Sequence, residues 1–319
     1  MQPYVIDYAN GISAIDVVYV RERVAASHLI VDDGEAAFVD VGTNYSAPLL
    51  LATLDEKGLE PEQVRYVCVT HVHLDHAGGA GELMRQLPQA TLVVHPRGER
   101  HMIDPSKLIA GTIAVYGEDR TQALYGEIQP IPAERVKAVQ DEETLELGRR
   151  HLRFLDTPGH AYHHYCVVDD DSGSIFSGDT FGLSYRELDT AWGAFILPTT
   201  TPIHFDPPAY HASIDRLMAQ DPTAIYLTHF GEVTELQRLA GDLHADLDRF
   251  VEIAERHQAI DAGAERIAAI GRDMREHLHQ RLRDHGSSLS ADAIDAVLHM
   301  DIELNAQGLD VWLERRKGS

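Results

Sequence analysis

Thr70-His71-Val72-His73-Leu74-Asp75-His76 places four candidate metal ligands within six residues. The apolar run Val67-Cys68-Val69 precedes it and predicts a strand, and Ala77-Gly78-Gly79 follows it and allows a close approach of the backbone. A single histidine is usually an ordinary surface or core residue, but three histidines and an aspartate at one strand end need a common reason. Because imidazole and carboxylate suit zinc, iron and manganese, the stretch predicts a metal site.

Three more candidate ligands occur later in the chain. Each follows a strand-like run of β-branched and aromatic residues and lies in or beside a turn marked by glycine or proline. The chain therefore supplies the further partners that such a cluster requires. They are His160 after residues 152–156, Asp179 after residues 174–177, and His229 after residues 224–228.

The order of these motifs resembles the metallo-β-lactamase superfamily, whose H-x-H-x-D-H loop is followed by a histidine, a bridging aspartate and a final histidine. The resemblance covers roughly residues 15–235. It implies an α/β fold, the αββα four-layer sandwich, here with an added C-terminal helical region. It also implies a ligand set: one metal held by His71, His73 and His160, a second by Asp75, His76 and His229, and Asp179 between them.

The implied chemistry is hydrolysis. Two cations about 3.5–4 Å apart can share a hydroxide, lower its pKa and polarise the attacked bond. We therefore expect a dinuclear metal-dependent hydrolase of an ester-like bond, with a metal-bridging hydroxide and with Asp75 and Asp179 keeping the metals in place. The expected cofactors are two divalent metal ions, zinc first, with iron or manganese as alternatives. Asp40 and His164 are candidates to orient the ligands; the alternatives are a strand-end turn and a packed polar side chain.

The aspartate at position 179 narrows the choice among branches of the superfamily. It resembles glyoxalase II, the N-acyl homoserine lactonases and related phosphoesterases, whereas the β-lactam-degrading branch typically carries cysteine or serine there. His73 argues against the flavo-diiron branch, which commonly has glutamate. His163 is a departure, because many relatives read G-H-T-x-G-H and have glycine at that position. The pattern looks closer to broad-specificity lactonase- and phosphotriesterase-like hydrolases, and lactone, thioester and phosphoester all stay open as the bond class.

Two long connections are expected to shape the substrate pocket, at residues 96–132 and 180–208. The aromatic residues of the second connection predict a small-molecule substrate with a partly apolar group. The alternative is that the aromatic residues of the second connection fill an interface with the C-terminal helices. Tyr185 and His204 are candidates to polarise a carbonyl or protonate a leaving group, on position alone.

The hydrophobic period changes along the chain. Residues 1–45 alternate as strands, with a hairpin turn at 32–35, and helices are expected at about 46–58 and 79–87. After His229 the strand signals stop and helical stripes begin. Ser290 is a candidate N-cap for a last helix, which Gly308 is expected to interrupt. We therefore expect a catalytic domain over 1–235 and a helical region over 236–319, whose stripes form core or a homodimer face.

Composition limits the partners. The chain has 27 basic and 51 acidic side chains among 319 residues, and its net charge of −24 would repel nucleic acid and anionic lipid. No window has the run of apolar residues that a membrane span needs, and the N-terminus has no basic start, so a cytoplasmic protein is expected. Cys68 and Cys166 are expected to be buried thiols.

The competing function is a metal-containing ligand-binding or regulatory protein of the same fold with little turnover.

Overall fold

A computed structural model describes residues 2–318 of the chain. These residues form two compact units, each assembled from separate stretches of sequence. The first contains the residues up to 156 together with 163–178 and 222–232. The second contains 157–162, 179–221 and the residues from 233 onward. The predicted domain boundary at residue 235 stays a prediction. The unit that contains the C-terminal helices also contains two earlier segments, 157–162 and 179–221.

Two β-sheets build the first unit. The seven strands of the first sheet are in chain order, β1 to β7, and the six-stranded second sheet has the order β13-β12-β11-β10-β9-β8. Pairing is antiparallel from β1 to β4 and from β8 to β11, and parallel from β4 to β7 and between β11 and β12. The strands are β1 Val5–Asp7, β2 Ile12–Asp16, β3 Ala26–Asp32, β4 Glu35–Val39, β5 Val64–Cys68, β6 Thr91–Val94, β7 Val136–Ala138, β8 Thr144–Leu147, β9 Arg150–Asp156, β10 Tyr165–Asp169, β11 Ser174–Gly178, β12 Ala224–Leu227 and β13 Gly231–Val233.

The core of the first unit lies between these sheets. Side chains from both inner faces meet there, and burying apolar surface of this kind is the dominant favourable term in folding. Both cysteines are buried thiols outside any disulfide, as predicted. The core residues are Ile12, Ile30, Ala37, Val39, Cys68 and Val93 on the first sheet, Leu147, Leu152, Phe154, Tyr165, Val167, Phe176, Ala224 and Tyr226 on the second, and Val139 just after β7.

The predicted hairpin and the first two predicted helices are confirmed. Asp32 and Glu35 are paired across the turn between β3 and β4. The first long connection, 96–132, is largely helical rather than irregular, because it contains three of the six helices of this unit. Those helices are α1 Ala47–Lys57, α2 Leu74–Ala77, α3 Ala80–Gln86, α4 Glu99–Ile103, α5 Ser106–Tyr116 and α6 Glu118–Tyr125.

The second unit is helical, with helices α7 Pro207–Met218, α8 Leu236–Arg256, α9 Ala264–Asp284 and α10 Ala291–Lys317. Ser290 is the N-cap of α10, as predicted, and its side chain accepts a hydrogen bond from the Ala293 amide. The prediction that Gly308 interrupts this helix is wrong. A Cβ at Gly308 would lie 1.6 Å from the carbonyl oxygen of Thr200, so this glycine allows a close contact inside a continuous helix.

The expected α/β class, with two packed sheets and added C-terminal helices, is confirmed. One detail differs, because the short strand β13 follows His229, where the sequence predicted only helices. Its three residues are too few to give a recognisable alternation. No helix within residues 2–318 combines the length and the apolar character that crossing a membrane requires.

Candidate metal centre

Asp75, His76 and His229 form a compact group of ligand atoms in the first unit, all within 4.8 Å of one another. His76 Nε2 lies 3.4 Å from His229 Nε2, and Asp75 Oδ2 lies 3.7 Å and 3.5 Å from these two nitrogens. Asp75 and His76 are carried by the short helix α2, and His229 follows β12. Three ligand atoms this close together can surround one cation.

Asp40 organises this group. It directly follows β4, whose last residue pairs with the end of the parallel strand β5. Its Oδ2 accepts hydrogen bonds from His76 Nδ1 at 2.7 Å and from the Thr228 hydroxyl at 2.6 Å, and its Oδ1 accepts from the Thr70 amide at 2.8 Å. Asp40 and His76 are buried. The structure thus supports the orienting role expected of Asp40, because the proton on His76 Nδ1 leaves Nε2 as the ligand atom.

His71 and His73 converge beside this group. His71 Nε2 lies 2.9 Å from His73 Nδ1, and the two rings are tilted by 76°. His71 Nδ1 is 3.1 Å from the Thr70 hydroxyl, which in turn lies 2.9 Å from Asp40 Oδ2. Donation from His71 to Thr70 and from Thr70 to Asp40 keeps the proton on His71 Nδ1. His71 Nε2 is then unprotonated, and its lone pair and that of His73 Nδ1 can face a common ligand position.

His160 and Asp179 belong to the second unit. His160 Nδ1 donates to the Thr199 carbonyl at 3.3 Å, and His160 Nε2 lies 3.4 Å from Asp179 Oδ2. Both side chains are buried. The imidazole is therefore held with Nε2 toward the carboxylate, which is an arrangement suited to two ligands of a shared ion.

The donors fit divalent metal ions. His76, His160 and His229 each donate from Nδ1 to an oxygen acceptor: the Asp40 carboxylate, the Thr199 carbonyl and the Val24 carbonyl, the last at 2.8 Å. A metal-binding histidine must be neutral and usually has its second nitrogen fixed in this way. The mixture of imidazole and carboxylate matches zinc, iron or manganese and does not choose among them.

His163, the departure from the usual glycine, lies against the first pair of histidines. Its ring is nearly parallel to that of His71, with centroids 6.3 Å apart, and meets the His73 ring edge-on at 5.8 Å. His164 is fully buried, with its ring centroid 4.9 Å from that of His71. Both side chains therefore border the candidate centre, and His163 brings bulk where glycine would leave space.

The predicted catalytic residues of the second connection have other neighbours. The Tyr185 hydroxyl donates to Asp301 Oδ1 at 3.0 Å, and both residues are buried. The His204 ring stacks on Tyr162, with centroids 4.5 Å apart. Several aromatic residues of this connection are also buried against C-terminal helices, as the alternative interpretation expected; Phe205, for example, contacts Trp312. The catalytic roles of Tyr185 and His204 stay predictions.

A buried tyrosine pair lies on the Asp75 side of the centre. The hydroxyls of Tyr19 and Tyr125 are 3.0 Å apart, and their rings stack. Burial raises the pKa of both tyrosines, and the negative charge of Asp75 raises each pKa further. Both shifts favour the protonated, uncharged hydroxyls.

Sequence reasoning missed Tyr19 and the small polar residues that orient the ligands. Thr70 and Thr228 each stand one position before a candidate ligand histidine, at the end of a strand, so the repeated Thr-His pair was a usable signal. The carbonyl acceptors of Val24 and Thr199 had no such signal, because any residue offers a carbonyl. Only the fold determines which one faces an imidazole.

Several known proteins resemble this chain in sequence. A family model described as the metallo-beta-lactamase superfamily matches residues 20–229. A metallo-beta-lactamase fold-containing protein of Sulfurisphaera tokodaii is 28% identical over 177 residues, which is 54% of this chain and 63% of that protein. A hydroxyacylglutathione hydrolase of Xanthomonas euvesicatoria is 32% identical over 152 residues, 48% of this chain and 44% of the enzyme. The match thus spans under two thirds of each relative.

A solved structure extends the likeness beyond the matched segment. The crystal structure of an archaeal metallo-beta-lactamase superfamily protein from Sulfolobus tokodaii superimposes with a TM-score of 0.65 at 21% identity. The superposition covers 95% of this chain and 99% of that one. At this identity the likeness concerns the fold alone, and it confirms the expected metallo-β-lactamase architecture.

Proposed function

This chain belongs to the metallo-β-lactamase superfamily, and we propose that it is a dinuclear metal-dependent hydrolase of an ester-like bond. The observation that carries the proposal is the group of Asp75, His76 and His229, with His76 fixed by the buried Asp40. A histidine oriented in this way by a carboxylate is the usual arrangement behind a metal ligand.

We assign the ligands as the family resemblance implies. His71, His73 and His160 would hold one ion, Asp75, His76 and His229 would hold the other, and Asp179 would be a ligand of both. The close approach of His71 to His73, and that of His160 to Asp179, supports this assignment. Two divalent ions bound there would supply Lewis acidity and a water molecule activated at neutral pH.

The chain's own residues prepare the site for that chemistry. Asp40 and the Val24 carbonyl keep protons on the Nδ1 atoms of His76 and His229, so both rings present an unprotonated Nε2. Thr70 relays the hydrogen bond of His71 to the same Asp40 carboxylate. Burial favours the protonated form of Tyr19 and Tyr125, so two uncharged hydroxyls lie on the Asp75 side of the site.

The substrate we propose is a small molecule with an acyl or phosphoryl group and a partly apolar portion. A hydroxyacylglutathione is a thioester, so the named relative favours a thioester or a similar acyl bond, with lactones and phosphoesters next. The net charge of −24 disfavours a polyanionic substrate such as nucleic acid.

The test is hydrolysis by purified protein whose bound metal is quantified in the same preparation. The panel comprises a glutathione thioester, an N-acyl homoserine lactone, a phosphotriester and a phosphodiester. Turnover of one member that a chelator abolishes and added metal restores would support the proposal and identify the bond. Tight binding of a panel member without turnover, by protein containing both metals, would instead favour a ligand-binding protein.

A further inference from the structure

A buried asparagine of the last helix contacts the loop that lies against His160. Asn305 is in the middle of α10 and is 1% exposed. Asparagine is a poor residue for the interior of a helix, and a buried amide is costly unless its polar atoms are hydrogen-bonded. The partners of this side chain lie in the loop of residues 198–200, which belongs to the same unit.

The two ends of the Asn305 amide bind two successive peptide groups. The Thr200 amide donates to Asn305 Oδ1, and Asn305 Nδ2 donates to the Pro198 carbonyl at 3.4 Å. The Thr200 hydroxyl adds a contact, at 3.1 Å from the Asn305 carbonyl oxygen. Because an N–H needs an oxygen acceptor and a carbonyl needs an N–H donor, these partners determine which way the Asn305 amide points.

One of these peptide groups also contacts His160. The Thr199 carbonyl accepts a hydrogen bond from His160 Nδ1 at 3.3 Å, and it belongs to the same peptide group as the Thr200 N–H. This peptide group is trans, so it is planar and directs its C=O and its N–H to opposite sides. With the N–H held by Asn305, the carbonyl is turned toward His160. We infer that Asn305 is a positioning residue that orients His160 through the peptide group between Thr199 and Thr200.

This chain of hydrogen bonds determines which nitrogen of His160 is available to a metal ion. The Thr199 carbonyl can only accept, so His160 Nδ1 must carry a proton. Nε2, which lies 3.4 Å from Asp179 Oδ2, is then the atom that can bind a cation. Hydrogen bonds in series also polarise one another, so the donation from Thr200 to Asn305 strengthens the Thr199 carbonyl as an acceptor.

Gly308 shows how closely the 198–200 loop lies on α10. A Cβ at Gly308 would lie 1.6 Å from the Thr200 carbonyl oxygen. Gly308 stands three residues after Asn305 and therefore lies on the same side of the helix. Thr199 and Thr200 are buried, so the Thr200 N–H would lose a partner that water does not readily replace if Asn305 were apolar.

Two substitutions of similar size separate the hydrogen bonds of Asn305 from its shape. Asn305→Asp keeps an oxygen for the Thr200 N–H, whereas Asn305→Leu keeps the volume and has no polar side-chain atom. Leu298→Ala is the control for a general loss of stability, because Leu298 is buried in α10 about two turns before Asn305.

Amide hydrogen exchange in metal-free protein tests the contact with the peptide group. The exchange rate of the Thr200 amide is measured relative to that of Leu309, a buried residue of α10, which corrects for global unfolding. We expect this ratio to rise about 10-fold in Asn305→Leu and to stay near the wild-type value in Asn305→Asp and Leu298→Ala. An unprotected Thr200 amide in wild type, or an unchanged ratio in Asn305→Leu, would overturn the contact.

The effect on His160 is followed in ¹⁵N-histidine NMR spectra of the same metal-free samples. The signal of His160 is assigned by its absence in His160→Gln. We expect the Nδ1 proton of His160 to exchange slowly with solvent in wild type and Asn305→Asp, and fast in Asn305→Leu. A His160 ring without a proton on Nδ1 in wild type, or the same slow exchange in Asn305→Leu, would overturn the orienting role.

The consequence for metal binding rests on the proposed function and is measured by zinc competition with a chelator. We expect Asn305→Leu to weaken the binding of one of two zinc ions about 10- to 100-fold, and Asn305→Asp and Leu298→Ala to bind both ions as wild type does. Equal affinities in wild type and Asn305→Leu, or the same loss in Leu298→Ala, would overturn this consequence. Wild-type protein that binds no zinc would refute the proposed function, while both metal-free measurements would still decide whether Asn305 orients His160.

Discussion

His76 donates a hydrogen bond from Nδ1 to Asp40 Oδ2 across 2.7 Å, and neither side chain is exposed to solvent. The same carboxylate accepts from the hydroxyls of Thr70 and Thr228. One buried carboxylate therefore fixes two strand-end threonines and a histidine of α2, and it sets the tautomer of a proposed metal ligand.

Replacing this anion by its neutral isostere should weaken metal binding. Asp40 has φ +53°, a conformation that asparagine tolerates well, so Asp40→Asn changes charge with little backbone cost. We expect the metal dissociation constant to rise about 10- to 100-fold, because an uncharged amide with one acceptor oxygen holds the proton on His76 less strongly than the carboxylate. Competition with a chromophoric chelator measures the constant. Asp33→Asn, at another positive φ in an exposed hairpin turn, is the matched control, and equal affinity in both variants would contradict the role.

His163 tests the ligand assignment. It borders His71 and His73 but stands outside the proposed set, so His163→Ala should keep the metal content of wild type. Because the substitution removes bulk beside the site, we expect KM to change while the metal occupancy stays that of wild type. Metal analysis of the variant and steady-state kinetics check both expectations. Loss of one metal equivalent would make His163 a ligand.

His28 should make stability depend on pH. It lies in the core against Phe176 and Tyr226, and burial lowers its pKa from 6.5 to about 4, with the Asp40 charge opposing the shift. Between these values the unfolded chain takes up a proton that the folded chain refuses. The free energy of unfolding should therefore fall as pH drops from 6.5 to about 4, by up to about 3 kcal/mol from this group.

Denaturant unfolding at several pH values measures this effect. His28→Leu should flatten the curve in that window and leave the pH dependence above pH 7 unchanged, because leucine has no proton to gain and His28 is already neutral there in both states. His151→Gln, whose ring is 55% exposed, serves as the control and should retain the slope. An unchanged slope in His28→Leu would contradict the assignment.

Tyr185 allows a packing role to be separated from a catalytic one. Its buried hydroxyl donates to Asp301, so Tyr185→Phe removes a hydrogen bond to a buried carboxyl group. We expect a loss of about 1–3 kcal/mol in the free energy of unfolding, with kcat close to that of wild type. The exposed Tyr4→Phe should change neither quantity. A large fall in kcat at unchanged stability would instead support the catalytic role predicted from the sequence.

The candidate ligands could be predicted from the sequence because each stands at the end of an apolar strand. Strand ends that share a sheet edge bring their following residues together, so several histidines and aspartates in such positions are informative as a set. The C-terminal helices were visible for a similar reason, since Leu239, Leu243 and Leu247 repeat at helical spacing and are buried in α8. Both signals are local.

What the sequence could not reveal depends on contacts between distant residues. Gly308 reads as a helix breaker, and only the Thr200 carbonyl against it explains a glycine inside a helix. The roles of Val24 and Thr199 rest on backbone carbonyls, which carry no residue-specific signal. Likewise, Asn305 reads as an ordinary polar residue of a helix until a distant loop packs against it.

A hydrolase that needs two metal ions should gain activity in step with metal binding, and stepwise reconstitution measures this dependence. Metal-free protein is titrated with zinc, and the turnover of the best panel substrate is recorded against bound metal for wild type and for Asp179→Ala. We predict that wild-type activity rises until two ions are bound per chain, and that Asp179→Ala binds fewer and stays inactive. Full activity in metal-free protein, or wild-type turnover in Asp179→Ala, would contradict a hydrolase that depends on two metal ions.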